Sequence, residues 1–355
     1  MLAGSSAARR YGYSSARVKA MESRLISRKE MQEIIDAKDI STIISMLFQG
    51  DYKSELEEYG GLEIKSELID FALSKNLAKS VAKLVQISPS TERKLMRAVV
   101  GKWDLYNIKI GIEAKERGSS FESIERYIID YGRYDSAAIR EAMRDESVEG
   151  MLAKLMINSP YRDILAGALE EYKRSKSSQA AVAAIDRSYY NMLSSVIIGL
   201  RIIDNNSARI VKMDIDMKNI LLMLKAKRSG MKFADITASI VPGGNIGQRE
   251  LEDLYSNSKD IESLVSQLKE YDLKPALDAY KSGGGRRLLP FEIGLRNNIF
   301  RKSTGLLNHS ILSFGAMMAY AYMKEIEILT LRILINSKLY GLGKDETASL
   351  MIWKE

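Results

Sequence analysis

A short pattern of four residues recurs three times along the chain, and this recurrence constrains the fold more than any other feature of the sequence. In each copy an acidic residue is followed three positions later by Asn or Thr, and a lysine further on precedes a glycine by three positions. The lysines are 112 and 111 residues apart. A period of this length indicates three related domains rather than a solenoid of short repeats. The residues are Asp104, Asn107, Lys115, Gly118, Asp216, Asn219, Lys227, Gly230, Glu327, Thr330, Lys338 and Gly341.

Each copy of the pattern lies in a predicted amphipathic helix. In the first copy the apolar residues Leu105, Ile108 and Ile112 follow the spacing of one helical face. The lysine falls in the last turn, near the negative end of the helix dipole, and the glycine suits the left-handed conformation that ends many helices. The acidic residue with its Asn or Thr is either a functional group or a polar contact that orients one helix against the next. We favour the polar contact, because no other catalytic group accompanies the pair.

The repeat extends over whole domains. A segment that begins at Phe121, which we predict to be helical, recurs 112 residues later. Residues 342–355 resemble the start of a fourth repeat, and we expect them to form a closing helix that packs against the N-terminal helix. The chain is therefore expected to be all-α, with three similar helical-bundle domains over residues 1–119, 120–231 and 232–355, the last including the closing helix.

Several helix boundaries are predicted from local signals. The N-terminal helix is expected over residues 11–27. Ser27 is suited to cap the next helix, and Glu30 is at the reciprocal position of a capping box. A long helix is expected over residues 62–87. Another is expected to start after a cap at Ser90 or Thr91 and to run to Lys115, which makes it about 40 Å long at a rise of about 1.5 Å per residue.

The contents of cysteine, histidine and glycine exclude several kinds of site. The chain has no cysteine, which excludes disulfides and thiolate metal sites and fits a reducing cytoplasm. Its only histidine, His309, excludes multi-histidine metal motifs and is expected to be a packed or surface residue. The glycine-rich stretches 242–247 and 282–287 lack the GxxxxGK[ST] phosphate-binding motif, so we expect turns. The pair Tyr189-Tyr190 is expected in the core rather than in a base-stacking site. No cofactor is expected.

Charge and hydropathy limit the kinds of partner that the chain can have. The longest uncharged apolar run, residues 311–323, is shorter than the ~20 residues that cross a bilayer. The N-terminus lacks the apolar core of a signal peptide, so we expect a chain that is not itself inserted in a membrane. The net charge of +7 favours contact with nucleic acid, an anionic membrane surface or an acidic protein. Because Lys and Arg are interleaved with Asp and Glu, the simpler interpretation is a set of solvated helix faces.

Several further motifs, taken in their order along the chain, resemble a known family. They are Tyr13, Ala16, Arg17 and Met21 near the start, the three acidic-x-x-Asn/Thr segments, Ile185-Asp186-Arg187, Pro290-Phe291-Glu292, and the closing Glu327-x-x-Thr330-Leu331-Arg332 with Lys338-x-x-Gly341-Leu342. Together they resemble the C subunit of the archaeal and bacterial A/V-type ATP synthases, whose eukaryotic counterpart is the d subunit of the vacuolar ATPase. The resemblance covers essentially the entire chain. One departure is Thr330, where the family usually has Asn.

The resemblance implies three similar all-helical domains arranged as a funnel and a non-catalytic role in a rotor. It implies a position on the cytoplasmic face of the cell membrane, with peripheral contact only, on the ring of proteolipid subunits. The partners that it implies are this ring and the central-shaft subunits D and F, and not nucleic acid. Two basic pairs are candidates for contact with an acidic partner surface: Arg286 with Arg287, and Arg301 with Lys302.

Two other classes of function are compatible with parts of the sequence. The pI of about 9.2 and the repeats fit a basic all-helical scaffold or a nucleic-acid-binding repeat protein. Such a protein needs a continuous basic stripe, and its binding falls steeply with salt. An all-helical enzyme is the third hypothesis, but the sequence contains no constellation of acid, base, metal ligand and nucleophile.

Overall fold

The computed structural model describes residues 2–203 and 205–351, and in these residues it contains helices and turns but no β-strand. The all-α class expected from the sequence is therefore confirmed. Short 3-10 turns occur at Gly61–Glu63, Phe121–Ser123, Glu125–Tyr127 and Thr237–Ser239. The α-helices are α1 (Leu2–Glu22), α2 (Arg28–Asp36), α3 (Ile40–Gln49), α4 (Lys53–Glu58), α5 (Ser66–Ile87), α6 (Arg93–Val100), α7 (Lys102–Glu116), α8 (Ser136–Met143), α9 (Val148–Leu155), α10 (Arg162–Ser175), α11 (Ser178–Ile203), α12 (Asn205–Arg228), α13 (Phe233–Ile236), α14 (Gln248–Ser256), α15 (Ile261–Gln267), α16 (Lys274–Ser282), α17 (Leu289–His309), α18 (Phe314–Leu339) and α19 (Lys344–Ser349).

The described residues form two compact units. The central unit comprises residues 47–193, and the terminal unit comprises the described residues within the ranges 1–46 and 194–355. The terminal unit thus contains segments from both ends of the chain. The division into three domains that the sequence suggests stays a prediction.

In the central unit, α7 packs against three shorter helices. It contacts α6, α8 and α9, and α5 packs against α4 and α6. The apolar residues Leu105, Ile108 and Ile112 on α7 are buried, as are Trp103 and the small Ala114. Burial of this stripe removes the helix from water on the side that faces α8 and α9, which is the main source of stability for a helix in a bundle.

In the terminal unit, α18 is buried along most of its length. It packs against α1, α12 and α17, and its first turns include the fully buried Met317, Met318 and Tyr320. The apolar run at 311–323 therefore continues into a core helix, which accounts for its lack of a polar face. Within the part of the chain that the structure describes, none of the helices combines the length and the apolar composition that a bilayer crossing needs.

The start of the chain agrees with the sequence prediction in part. Helix α1 begins at Leu2 and ends at Glu22, so the helix expected over residues 11–27 starts earlier and stops sooner. The capping box of α2 is confirmed: the amide of Glu30 donates to Ser27 Oγ, and the amide of Ser27 donates to Glu30 Oε2. The signal for this cap is local, which is why the sequence predicts it well.

The prediction of one continuous helix that ends at Lys115 is wrong, because the structure interrupts it at Gly101. Helix α6 begins after Glu92 rather than after Ser90 or Thr91, and it ends at Val100. A β-carbon at Gly101 would collide with the hydroxyl of Tyr161, so the interruption lies where a distant tyrosine approaches the backbone. The helix expected over residues 62–87 begins at Ser66, after a 3-10 turn.

The segments that follow the repeated glycines are less regular than predicted. The helix expected from Phe121 onward is a pair of 3-10 turns, and its counterpart is the four-residue α13 followed by another 3-10 turn. The closing helix is α19. It packs against α2 and α18, whereas the expected neighbour is α1, and Lys344 Nζ lies 3.1 Å from Asp36 Oδ1. Residues 352–355, which that prediction also includes, lie outside the described residues.

Candidate functional site

The first copy of the repeated pattern forms a buried hydrogen-bonded joint in the central unit. Asp104, near the start of α7, is only 5% exposed. Its Oδ1 accepts the backbone N–H groups of Arg133 and Tyr134 at 3.0 Å each, and its Oδ2 accepts the hydroxyl of Tyr161 at 3.3 Å. Tyr134 lies two residues before α8. We call this arrangement a bracket: an acidic side chain on one helix accepts hydrogen bonds from the backbone just before another helix.

Asn107 completes the first bracket one turn later on α7. Its Oδ1 accepts the N–H of Ile129 at 3.0 Å, and its Nδ2 donates to the carbonyl oxygens of Ile129 and Tyr134 at 2.8 Å each. The side-chain amide is fully buried, and these bonds satisfy both its donor and its acceptor atoms. Asp104 and Asn107 therefore attach the segment before α8 to two successive turns of α7.

The second copy forms the same kind of bracket in the terminal unit. Asp216 on α12 accepts the N–H of Ile246 at 3.1 Å and the N–H of Asn245 at 3.0 Å. The side chain of Asn245 and the hydroxyl of Tyr271 also donate to its Oδ2, at 2.8 and 2.6 Å. Asn219 exchanges two hydrogen bonds of 2.8 Å with the backbone of Val241. Ile246 lies two residues before α14, as Tyr134 does before α8.

Burial perturbs the ionisation of these groups. It raises the pKa of both carboxyl groups, Asp104 and Asp216, because the charged form loses its hydration. The pKa values of Tyr161 and Tyr271 are raised by burial and then by the negative charge of the neighbouring carboxylate. A perturbed pKa in a cleft often marks a catalytic residue. Here the carboxylate oxygens bind backbone amides and tyrosine hydroxyls inside the core, so the geometry is that of a structural joint.

The third copy makes a bracket with a segment from the other end of the chain. Glu327 on α18 accepts the N–H of Ile26 on Oε2 at 2.6 Å, and its Oε1 lies 2.7 Å from Lys324 Nζ. The side chains of Lys324 and Glu327 are 1% and 0% exposed. Ile26 lies two residues before α2. The helix held by the third bracket is therefore near the N-terminus.

Thr330 departs from the two asparagines in its hydrogen bonding. Its hydroxyl is buried and has no hydrogen-bond partner among the described residues. Asn107 and Asn219 both pair with the residue 22 positions further along the chain. The residue 22 positions after Thr330 is Ile352, which lies outside the described residues. A threonine also has a shorter side chain than asparagine, and so it reaches less far.

The lysines of the pattern lie at the ends of the bracketed helices. Lys115 Nζ donates to the carbonyl oxygen of Met143, the last residue of α8, at 3.1 Å. Lys227 Nζ donates to the carbonyl oxygen of Tyr255, in the last turn of α14, at 2.7 Å and to that of Ser258, just after this helix, at 3.0 Å. Each lysine thus supplies a hydrogen-bond donor to carbonyl oxygens at the C-terminal end of a neighbouring helix or just beyond it.

Lys338 lies near the end of the third bracketed helix, α2. The pKa of Asp36, the last residue of α2, is lowered first by hydrogen bonds from Gln32 and Lys344 and then, to a smaller extent, by the charges of Lys344 and Lys338. The glycines of the pattern all have the left-handed conformation predicted for them, with φ values of 67°, 68° and 67° at Gly118, Gly230 and Gly341. In each case the two backbone bonds of a Schellman motif end the helix.

The two basic pairs that are candidates for partner contacts are in different environments. Arg301 and Lys302, on α17, line a cavity of about 810 Å³ together with Lys269 and Lys274. Arg286 and Arg287 are on the turn between α16 and α17 and do not line this cavity. The carbonyl oxygen of Arg286 accepts a hydrogen bond from Arg228. The structure therefore brings Arg301 and Lys302 to one site, which excludes the other pair.

The remaining candidate features have structural roles or lie exposed. Tyr189 and Tyr190 are buried, and the hydroxyl of Tyr189 donates to the carbonyl oxygen of Val99 at 2.9 Å. In the glycine-rich turn at 242–247, two backbone amides bind Asp216. His309 is exposed at the end of α17. Among residues 2–203 and 205–351, no group of three or more His, Cys, Asp and Glu side chains is arranged to hold a metal ion.

Comparison with known sequences decides the family. The sequence model of the ATP synthase (C/AC39) subunit family matches residues 14–350. The chain belongs to the ATP synthase (C/AC39) subunit family. As a member of this family it is a structural component of an ATP synthase and not the catalytic one, and it belongs to a membrane-associated complex whose other subunits are its partners.

Several curated relatives resemble this member of the C/AC39 family over nearly their full lengths. The C subunit of the A-type ATP synthase of Thermoplasma acidophilum is 26% identical over 349 residues, which cover 96% of this chain and 97% of the relative. The C subunit of the A-type ATP synthase of Methanothermobacter thermautotrophicus is 28% identical, with coverage of 92% and 84%. That of Pyrococcus horikoshii is 27% identical, with coverage of 91% and 85%.

Some members of the brackets in this C/AC39 chain are not predicted from the sequence. Tyr161 and Tyr271 follow their acidic partners by 57 and 55 residues. Their separation is close to the period of the repeat, and this is a usable signal. Lys324, which pairs with Glu327, has no counterpart of the same charge at the equivalent positions before Asp104 and Asp216, so the repeat gives no signal for it.

Proposed function

We propose that this chain is the non-catalytic central-stalk subunit that joins the rotor of its ATP synthase. It links the central shaft, subunits D and F, to the ring of membrane proteolipid subunits, and it transmits torque between ATP chemistry and ion translocation. The observation that carries the proposal is the near full-length correspondence with the C subunits of A-type ATP synthases. We place the chain on the cytoplasmic face of the cell membrane as a peripheral component.

The brackets supply the stiffness that this role needs. A part that transmits torque must resist bending at the joints between its helices. At each bracket a buried acidic side chain holds the backbone that leads into another helix. Hydrogen bonds to charged groups contribute about 1.5–3 kcal/mol each. Deforming a bracket that contains several of them therefore costs a large amount of free energy. We also propose the division into three similar domains, arranged as a funnel that receives the shaft.

The distribution of charge supports this proposal over a nucleic-acid-binding scaffold. Many basic side chains are paired with carboxylates, as in Lys109 with Asp186 at 2.6 Å and Arg140 with Glu125 at 2.7 Å. Neighbouring pairs along a helix, such as Arg144 with Glu141, neutralise further charge. Non-specific binding to nucleic acid depends on unpaired cations that neutralise phosphates, and pairing of this kind reduces their number.

Purified components test the assignment directly. We expect the full chain to form a complex with the D–F shaft and, separately, with the proteolipid ring in detergent, as measured by size-exclusion chromatography and mass identification. The isolated chain is expected to show no ATP hydrolysis. Binding to RNA or DNA that falls steeply with salt, without binding to shaft or ring, would contradict the rotor role and favour the alternative, a basic scaffold that binds nucleic acid.

A further inference from the structure

One cavity in the terminal unit has the composition of a binding site. It lies between the end of α15, the loop at residues 268–273, the start of α16 and the middle of α17. Its volume of about 810 Å³ is within the range of about 300–1,000 Å³ that is usual for ligand pockets in proteins. All of its lining residues belong to the terminal unit.

The lining of this cavity combines an apolar surface with an excess of positive charge. Four basic side chains contribute to it and only two acidic ones, Glu270 and Asp272. Its aliphatic residues are Val265, Leu268, Leu273 and Leu277. Its basic residues are Lys269, Lys274, Arg301 and Lys302. A cavity of this kind accommodates an apolar group and attracts negative charge around it.

Part of the rim is fixed in place by its own hydrogen bonds. Arg301 donates to Asp272 Oδ2 at 3.0 Å and to Asn298 Oδ1 at 3.3 Å. Asn298 in turn accepts the N–H of Asp272 at 3.1 Å and donates to its carbonyl oxygen at 3.2 Å. The loop is thus attached to α17, and one of the two carboxylates is already neutralised.

The two lysines of the loop and of α16 remain available. Lys269 and Lys274 are exposed, and their ammonium groups have no ion-pair partner among the described residues. They flank the apolar lining that includes Leu273. An arriving carboxylate therefore competes with no internal ion pair at these two positions.

We propose that this cavity binds an acidic segment of a partner polypeptide, which inserts an apolar side chain and places carboxylates against Lys269 and Lys274. The inference rests on the proposed function, because the partner is then another subunit of the ATP synthase. A concave site with two carboxylates in its own rim is poorly matched to the flat, uniformly negative surface of a bilayer. A peptide can place its carboxylates individually beside the lysines and away from Glu270.

A photo-crosslink in the assembled complex tests the proposal. Ser266 lines the cavity and is exposed, so it can be replaced by p-benzoylphenylalanine. After irradiation we expect a crosslink to a segment of another subunit in which Asp and Glu outnumber Lys and Arg. A crosslink to lipid, a crosslink to a basic segment, or no crosslink in a complex that contains shaft and ring would overturn the inference. A wild-type chain that assembles with neither shaft nor ring would instead contradict the proposed function.

Charge reversal with a matched control provides the second measurement. The test variant is Lys269→Glu with Lys274→Glu, and the control is Arg286→Glu with Arg287→Glu, which changes the net charge equally outside the cavity. The probe for the isolated full chain is an amphipathic helical peptide of Leu and Glu, compared with a Leu and Lys peptide and with phosphatidylglycerol vesicles.

We expect the test variant to bind the Leu and Glu peptide about tenfold more weakly than the wild type, as two surface ion pairs become repulsions. The control is expected to bind within about twofold of the wild type. Equal weakening in both variants, or a preference of the wild type for the vesicles or for the Leu and Lys peptide, would overturn the inference. Unchanged thermal unfolding of both variants would show that each still folds.

Discussion

The backbone amide of Ile26 donates a hydrogen bond to Oε2 of Glu327 over 2.6 Å, although 301 residues separate the two positions. The same end-to-end contact is made elsewhere in the terminal unit. Ser15 Oγ donates to the carbonyl oxygen of Ile311 at 2.7 Å, and α19 packs against α2. The third bracket is thus made from both ends of the chain, whereas the first two use consecutive segments.

The buried pair Lys324 and Glu327 is expected to be essential to this closure. Glu327→Gln removes the carboxylate that neutralises Lys324 in the core, and breaking one partner of a buried pair typically costs about 3–5 kcal/mol. We expect a loss of this size in the free energy of unfolding, measured with urea. The double variant Lys324→Met with Glu327→Gln removes both charges and is expected to recover part of the loss. A double variant no more stable than the single one would contradict this explanation.

The tyrosines of the first two brackets donate to buried carboxylates, and their hydroxyl groups are expected to contribute accordingly. Tyr161→Phe and Tyr271→Phe should each lower the free energy of unfolding by about 1.5–3 kcal/mol, the contribution of hydrogen bonds to charged groups. Tyr189→Phe is the matched control, because its hydroxyl donates to the uncharged carbonyl of Val99 and should contribute only about 1 kcal/mol. Equal losses for all three variants would argue against a special role of the carboxylates.

The carboxyl group of Asp104 is expected to give stability a distinctive dependence on pH. Its pKa in the folded protein is raised by burial above the ordinary value of 3.8, so the folded state binds the proton more tightly than the unfolded state. The stabilising contribution of this protonation is complete below pH 3.8 and is lost as the pH rises through the raised pKa. We therefore expect the stability difference between the wild type and Asp104→Asn, measured by urea unfolding, to shift against the wild type as the pH rises from below 3.8 through the raised pKa.

Glu116, on the same helix, provides a control of opposite sign. Hydrogen bonds from the side chain and backbone of Ser178 lower its pKa below the ordinary value of 4.5. Its contribution is complete above pH 4.5 and is lost as the pH falls through the lowered pKa. The difference between the wild type and Glu116→Gln should therefore shift in favour of the wild type as the pH rises. The same slope for the Asp104 and Glu116 variants would refute the assignment of the two pKa shifts.

Alanine substitutions at two glycines distinguish the cost of backbone strain from the cost of steric crowding. Gly118 and Gly132 both have positive φ, 67° and 82°. A β-carbon at Gly118 meets nothing within 4 Å, but at Gly132 it collides with the carboxylate of Asp104. Gly118→Ala should lower the free energy of unfolding by about 1–2 kcal/mol, the cost of the left-handed conformation. Gly132→Ala should cost more, since it also displaces the bracket, and equal costs in urea unfolding would show that the bracket tolerates displacement.

Local signals predict part of this structure, and long-range contacts determine the rest. The capping box at Ser27 and the left-handed Gly118 depend on a few neighbouring residues, so the sequence indicates both. The hydroxyl of Tyr161, far along the chain, lies against Gly101 at the interruption between α6 and α7, and no helical propensity reports such a contact. The contact of Ile26 with Glu327 is longer still, and the repeat alone does not indicate which segment the third acidic residue holds.

The cavity in the terminal unit can be predicted from the sequence only in part. Arg301 and Lys302 are basic neighbours in sequence, but Lys269 and Lys274 are 27 or more positions away from them. Only the fold of α15, α16 and α17 brings the four residues to one cavity. The pair Arg286 and Arg287 has the same local signal, and yet it lies outside the cavity. Adjacent charges therefore indicate a surface but not its shape.

The coupling of ATP hydrolysis to ion transport tests the central claim most directly. Vesicles that contain the complex depleted of this chain would be compared with vesicles to which the purified full chain is added back, with ATP hydrolysis and ion uptake measured in parallel. The proposed role predicts hydrolysis without ion uptake in the depleted complex and ATP-driven uptake after addition of the chain. Ion uptake at the full rate in the absence of the chain would contradict a role in linking the shaft to the ring.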